Sequence, residues 1–469
     1  MKMSTGDPKS LRDGLSRVSD PSGCFLWSID GNFRYDDVLH GSRFEGPLTD
    51  LIGRSVLIKT RDQVATARAL IELDGVARRF FICPPDVRSE HLPLLVADAA
   101  IDAVVTDRDS GHQDDLGVSL RVTIGSTVTP TKHFPVNHCS TEWVLLTSGT
   151  TGVPKMVVHS FAGLTGAIKH RKSQHGPIIW GTYYDIRRYG GLQVFLRAIL
   201  SGASFVVPSV EEPLTDYISR LSAHAATHVL GTPSHWRRVL MSPSAGTLAL
   251  KYVRLSGEVA DQAILDNLQQ LYPRADIVHA YASTEAGVGF EVIDRLEGFP
   301  PSTLGAHPGG VELKIQDGSI RIRSARTASR YIGGHNSILM DQDGFVDTGD
   351  IVELRNGRYY FLGRKGGIIN IGGLKVHPEE VEAVINRHPK VQISQVRARN
   401  NPITGSIVVA DVVLKNETNK GETDGMRETL KHEILQICCS LLARHKVPAV
   451  IKFVPALTFN AAGKIARHA

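Results

Sequence analysis

The densest group of residues able to do chemistry is Thr147-Ser148-Gly149-Thr150-Thr151-Gly152-Val153-Pro154-Lys155. Glycines let backbone N–H groups approach a polyphosphate, hydroxyls donate to its oxygens, and Lys155 supplies positive charge. The P-loop spacing, GxxxxGK followed by Ser or Thr, is not met, because Lys155 is three residues beyond Gly152 and Met156 follows it. A plain surface loop is the competing reading, since small polar residues cluster in loops in any case.

Four further segments make the chain resemble a known family. The run at 147–155 is similar to the phosphate-binding signature of the adenylate-forming superfamily: acyl-CoA synthetases, adenylation domains of peptide synthetases, and luciferases. Ser256-Gly257-Glu258 resembles the turn that lines its adenine pocket. Tyr281-Ala282-Ser283-Thr284-Glu285 resembles its aromatic–Thr–Glu signature. Thr348-Gly349-Asp350 resembles the ribose-binding TGD, with Gly363-Arg364 as the arginine that joins it. Gly463-Lys464-Ile465 resembles the C-terminal catalytic lysine motif. The resemblance runs from 142 to 467 with the motifs in the family's order.

The residue chemistry agrees with these roles. The Tyr281 ring can stack on a purine, Thr284 can hydrogen-bond an oxygen of the acyl phosphate, and Glu285 is a hard oxygen ligand suited to Mg²⁺. Singly, each has a plain alternative: a core tyrosine, a capping threonine, a solvated glutamate. Asp350 can accept both ribose hydroxyls and Arg364 can donate to one, where a lone Asp after Thr-Gly would read as a turn residue. By resemblance Lys464 is the adenylation lysine, which stabilises charge between carboxylate and α-phosphate.

The chain also departs from the family. Gly366 stands where the pivot for the small domain carries Asp or Lys, and Asn370 where Lys is common. The segment before Thr147 is shorter than is usual. The family builds its acyl pocket between the phosphate loop and Tyr281, which here takes in His159, Tyr189-Gly190-Gly191 and 280–289. Arg187 and Arg188 read as a solvated basic turn in preference to readers of a second carboxylate. His224, His228 and His235 lack HExxH spacing or matched cysteines and read as structural. Gly372-Gly373 would line the thiol channel.

These residues need elements to hold them. Ser55–Lys59 reads as a strand and 61–73 as a helix. Strands at 79–83 and 103–106 follow, with helical 90–99 between them. The alternation recurs at 203–208, 228–231 and 277–280, which argues for α/β sheets with crossover connections. Strands at 351–354 and 358–362 flank Asn356-Gly357, a strong hairpin signal. Pro378 opens a helix with Glu379 and Glu380 in its first turn. Strand 406–414, helix 425–442 and strand 451–454 make up a small α+β domain.

The 469 residues exceed one ordinary domain. With 42% hydrophobic and 22% charged residues, the chain is neither disordered nor a disulfide-dense mini-protein. A net charge of +5 without a Lys/Arg block does not call for nucleic acid. Cys24, Cys83, Cys139, Cys438 and Cys439 show no zinc spacing and read as buried free thiols in a reducing compartment. The opening MKMSTGDPKS lacks an apolar core, and no apolar run reaches the ~18 residues of a membrane span. A cytoplasmic protein is expected.

The expectation is therefore an α/β adenylation domain over 1–362 and a mobile α+β cap over 363–469. It would join a carboxylic acid to AMP from ATP with Mg²⁺, then transfer the acyl group to CoA. Loading of an acyl carrier protein and a non-catalytic nucleotide-binding relative are the alternatives. Catalysis would rest on Lys464, Thr284 and Glu285, the last also holding the metal. Nucleotide binding would rest on Thr147, Ser148, Gly149, Thr150, Thr151, Gly152, Lys155, Gly257, Glu258, Tyr281, Asp350 and Arg364.

Overall fold

The computed structural model describes residues 7–107, 116–131, 139–147, 154–168, 176–209, 211–307, 309–333, 338–371, 374–401, 405–415 and 424–466. Ser148, Gly149, Thr150, Thr151, Gly152 and the Gly372-Gly373 pair lie outside these residues.

Two eight-stranded sheets dominate the first three hundred residues. In the first, Arg79–Ile82, Ser55–Lys59 and Ala103–Asp107 lie side by side in parallel, and Glu142–Thr147 pairs parallel with Arg79–Ile82. Their near-continuous apolar runs are those of strands covered on both faces. The helix Gln63–Leu73 covers one face with every residue buried. It starts two residues later than the pattern suggests, because Asp62 caps it by accepting from the N–H groups of Val64 and Ala65.

In the second sheet, Ile179–Thr182, His228–Gly231, Tyr252–Ser256 and Asp276–Ser283 are parallel neighbours. Gly287–Val292 adds an antiparallel edge. The helix Tyr189–Ser201 packs over it, most of its residues buried. In both sheets the functional segments follow the carboxyl ends of strands, the usual place for ligand sites in open α/β sheets. Thr147 ends one strand, Ser256 leads into Gly257 and Glu258, and Ser283 leads into Thr284 and Glu285.

A five-stranded antiparallel sheet follows, ending in the hairpin of Val346–Arg355 and Arg358–Arg364. Asn356 (φ 48°) and Gly357 (φ 76°) both take left-handed backbone, as a two-residue type I′ turn demands. Asp350 and Arg364 face each other across this hairpin. A short turn, Lys365–Gly367, leads to the C-terminal unit. That unit joins the helices Pro378–Ile385 and Asp424–Leu441 to a three-stranded sheet of Val391–Asn401, Gly405–Leu414 and Val450–Phe453. Val381, Ile385, Val408, Val412 and Ile434 form its separate core. The architecture is a large α/β domain followed by a smaller α+β one, as the sequence implies. No helix of the described residues is long and apolar enough to cross a membrane.

Candidate active site

Thr232 begins the construction. It caps the helix Pro233–Leu240, its hydroxyl accepting from the His235 N–H at 3.1 Å, while His235 Nδ1 accepts the Thr232 N–H at 3.1 Å. This reciprocal box fixes the imidazole against the strand ends. Burial, with Arg238 and Lys464 adding to it, pushes the His235 pKa down to about 3, so the ring is neutral.

The end of the chain docks on this helix. Thr232 Oγ1 donates to the Gly463 carbonyl at 3.1 Å. Glu258 spans the two units: Oε2 accepts from the Ser234 N–H at 2.9 Å and Oε1 from the Ile465 N–H at 3.2 Å. Asn460 closes the terminal turn, taking the Lys464 N–H on Oδ1 at 3.0 Å. Gly463 has φ +70°, and a β-carbon there would stand 1.9 Å from His235 Nε2. Gly257 has φ +86°, and its β-carbon would sit 3.2 Å from Lys464 Cε and 3.5 Å from Nζ, a milder crowding that nonetheless shows how near the lysine lies.

Lys464 is thus delivered beside Gly257. Burial lowers its pKa, opposed by the Glu258 and Asp350 carboxylates, while Arg364 adds to the lowering. Asp350 is held on both sides. Its Oδ2 accepts from the Tyr281 hydroxyl and its Oδ1 from Arg364 Nε at 3.1 Å. Burial, reinforced by Asp350, raises the Tyr281 pKa well above the usual phenol value. The Tyr281 ring lies nearly parallel to Phe290 and Phe361, with centroids 5.6 and 5.3 Å away. Part of the ring surface that the sequence offers to a purine is therefore already in aromatic packing.

Thr284 and Glu285 sit half-buried beyond Ser283. Glu285 acts electrostatically on both Arg364 and Tyr331. Lys155 lies 5.4 Å from the centre of the Tyr331 ring, which brings the end of the phosphate run beside Glu285. Thr147 pairs with Lys155 across adjacent strands. Among the described residues, no three His, Cys, Asp or Glu side chains gather as a metal cluster. A single carboxylate completed by phosphate oxygens and water is a site type Mg²⁺ accepts, so Glu285 fits.

Two expectations need correction. Arg187 is not a solvated turn residue: it is buried, with Nε and NH2 on Asp185 at 2.8 and 2.7 Å and NH1 on the Thr60 and Arg61 carbonyls. Arg188 pairs with Asp86. All five cysteines are free, but Cys439 is exposed and Cys139 only partly buried.

His159 is buried within 5.7 Å of the Tyr189 ring, and burial pushes its pKa down to about 4. His235, read from the sequence as structural, is structural in the Thr232 capping box, and its place three residues after Thr232 was the signal for that role.

Residues 69–327 match the family described as AMP-binding enzyme, and residues 380–464 match the AMP-binding enzyme C-terminal domain. The chain belongs to the AMP-binding enzyme family. This AMP-binding enzyme is 26% identical over 282 residues to the acyl-CoA ligase ppsA of Aspergillus oryzae, a match covering 53% of this chain. The match spans about half of that relative, 49% of its length. The mitochondrial acyl-coenzyme A synthetase ACSM2A of Homo sapiens is 25% identical over 448 residues, covering 89% of this chain and 72% of the relative. The crystal structure of the anthranilate CoA ligase AuaEII in complex with anthranoyl-AMP superposes with a TM-score of 0.77 at 18% identity. That superposition covers 97% of this chain and 95% of the other, and it shows the shared fold. Both family matches agree with the resemblance read from the motifs.

Proposed function

We propose that this protein joins a carboxylic acid to AMP and passes the acyl group to a thiol, as an AMP-forming acid–CoA ligase. One observation carries the reading. Gly257, Glu258, Asp350, Arg364 and Lys464 meet at one place, although the Glu258–Ile465 bond alone bridges 207 positions of sequence.

In the first half-reaction a carboxylate oxygen attacks the α-phosphorus of ATP. An acyl O–P bond forms, the bond to the bridging oxygen breaks, and pyrophosphate leaves with the electron pair. The Lys464 ammonium faces the charge that develops, and its preorganisation by the Gly463 turn avoids reorganisation at the moment of reaction. Asp350 accepts the ribose hydroxyls, Arg364 and Tyr281 hold its carboxylate, and Gly257 and Glu258 border the adenine. Residues 147–155 take the phosphates. Glu285 and Thr284 would serve the phosphate end, where Glu285 would hold Mg²⁺ and the metal would supply positive charge for the departing pyrophosphate.

In the second half-reaction the thiol sulfur attacks the acyl carbon and AMP leaves. We place the boundary between 1–362 and 363–469, with Gly366 as the pivot. A β-carbon at Gly366 would meet no heavy atom within 4 Å, so the turn there is open on the side a side chain would occupy. The acceptor is CoA, with carrier-protein pantetheine as the alternative thiol. The cytoplasm suits a chain whose five cysteines are all free.

ATP–pyrophosphate exchange over a panel of carboxylic acids, followed by thioester assays with CoA and with pantetheinylated carrier protein, tests the reading. Absence of acid-dependent exchange would refute it. Two finer results are expected. Glu285→Ala should raise the half-saturating Mg²⁺ concentration by roughly tenfold or more. An unchanged Mg²⁺ titration would make Glu285 structural.

The second concerns pH. Only charged Lys464 stabilises the transition state, and its folded pKa is depressed, so the charge is lost at a lower pH than for a free lysine. Exchange should therefore decline as pH rises, below the ordinary lysine value of about 10.4. In Lys464→Arg, whose group stays protonated, any residual exchange should lack this alkaline limb.

A further inference from the structure

The strand Tyr252–Ser256 ends against Lys464 through Gly257. Two residues back from Ser256, on the same face of the strand, stands Arg254, only 5% exposed. A buried charge is costly unless fully paired, and this one is not. Its NH1 meets Glu291 Oε1 at 2.8 Å and its guanidinium donates a hydrogen bond to Tyr252, while Nε has no hydrogen-bond partner. A second guanidinium, Arg197 on the covering helix, is close enough that burial and then Arg254 lower its pKa, with Glu291 the one carboxylate opposing this. The Glu291 side chain is itself 41% exposed. One buried guanidinium and one partly buried one thus share one partly solvated carboxylate.

Arg254 also acts on Tyr184 and Tyr189, residues that border the expected acyl pocket. Tyr184 donates its hydroxyl to the Ser256 carbonyl at 2.8 Å, and its ring lies 3.4 Å from where a β-carbon at Gly190 would be. The Tyr189 ring faces His159.

We propose that Arg254 selects the acid, and that the substrate is a dicarboxylate whose second carboxylate pairs with Arg254. This rests on the acid–CoA ligase reading. The reacting carboxylate lies by Gly257 and Lys464; the other balances the pair of guanidinium groups. Two to three residues of strand separate the ends, so the carboxylates stand roughly 7–10 Å apart at ~3.3 Å per residue.

The test is pyrophosphate exchange with straight-chain diacids of about six to nine carbons, matching that span, against monoacids of equal length. The wild-type enzyme should favour the diacids by about 10²-fold in kcat/KM, since a buried, incompletely paired charge rejects the analogue lacking its partner. Arg254→Met should erase the preference mainly through KM, and Arg254→Lys should retain part of it. Glu291→Gln, which leaves the guanidinium groups without their carboxylate, should lower KM for diacids. Better turnover of monoacids by the wild type, or an equal fall for both series in Arg254→Met with Arg254→Lys no better, would overturn the proposal. Exchange with monoacids alone refutes the diacid class and leaves the ligase reading standing. Exchange with no acid at all refutes both.

Discussion

Lys464→Ala removes acyl-AMP formation, with a loss of about 10²–10³ in rate, while thioester formation from supplied acyl-AMP continues. The separation follows from where the lysine sits. Its ammonium lies against Gly257, within the electrostatic reach of Glu258, Asp350 and Arg364, on the segment that docks last in the chain. Those are the groups expected to hold the nucleotide during adenylation. Thiol attack on a preformed acyl-AMP is expected after the cap has rotated and carried Lys464 away from the acyl phosphate, so it does not draw on this ammonium. Pyrophosphate exchange beside single-turnover thioester yield measures the two steps independently. Equal loss in both would place Lys464 in the thiol step as well, and an intact first step would count against the mechanism.

Gly463→Ala produces nearly the same deficit with the lysine still present. The residue has φ +70°, where a non-glycine side chain costs roughly 1–2 kcal/mol. Its new β-carbon would also lie 1.9 Å from His235 Nε2 and 2.0 Å from Cε1. The imidazole cannot easily yield, because Nδ1 is bonded to Thr232 and the Tyr183 and Tyr184 rings stand 5.8 and 5.9 Å away. The terminal turn must therefore shift, and a 1 Å misplacement of a catalytic group costs on the order of 10²-fold in rate. Adding His235→Ala to Gly463→Ala restores space and should recover part of the exchange activity. No recovery would assign the defect to backbone strain alone. Unchanged exchange in the single variant would mean that this docked arrangement is not the adenylating one.

Local chemistry was legible in the sequence, and long-range approach was not. The Asn356-Gly357 turn, the Pro378 helix start and the parallel strands are set by neighbours a few residues apart, and they fall where spacing puts them. The site motifs were readable because each is a short run of fixed order. How they are held was hidden. Arg187 looks like half of a basic turn, yet its NH1 partners are carbonyls 126 and 127 positions away. Arg254 is one polar residue in a short strand, and nothing nearby announces that Glu291 and Arg197 will close around it. His235 was set aside with the other histidines, because its contact with Gly463 exists only once the C-terminal unit docks.

The way that unit docks bears on how such enzymes can be recombined. The large domain grips the terminal turn by main-chain atoms: Thr232 reads the Gly463 carbonyl and Glu258 the Ile465 N–H. The rest of the cap meets it mostly through side chains, with Asn386 on Asp261, Arg387 on Glu297, Gln392 on Met241, Glu380 on Arg355 and Phe459 under Arg238. Main-chain groups are common to every sequence, so the turn is specified as a backbone path while the remaining interface is specified residue by residue. A cap borrowed from a distant relative would therefore have to bring those side-chain partners as well as the glycine–lysine turn to present its lysine correctly.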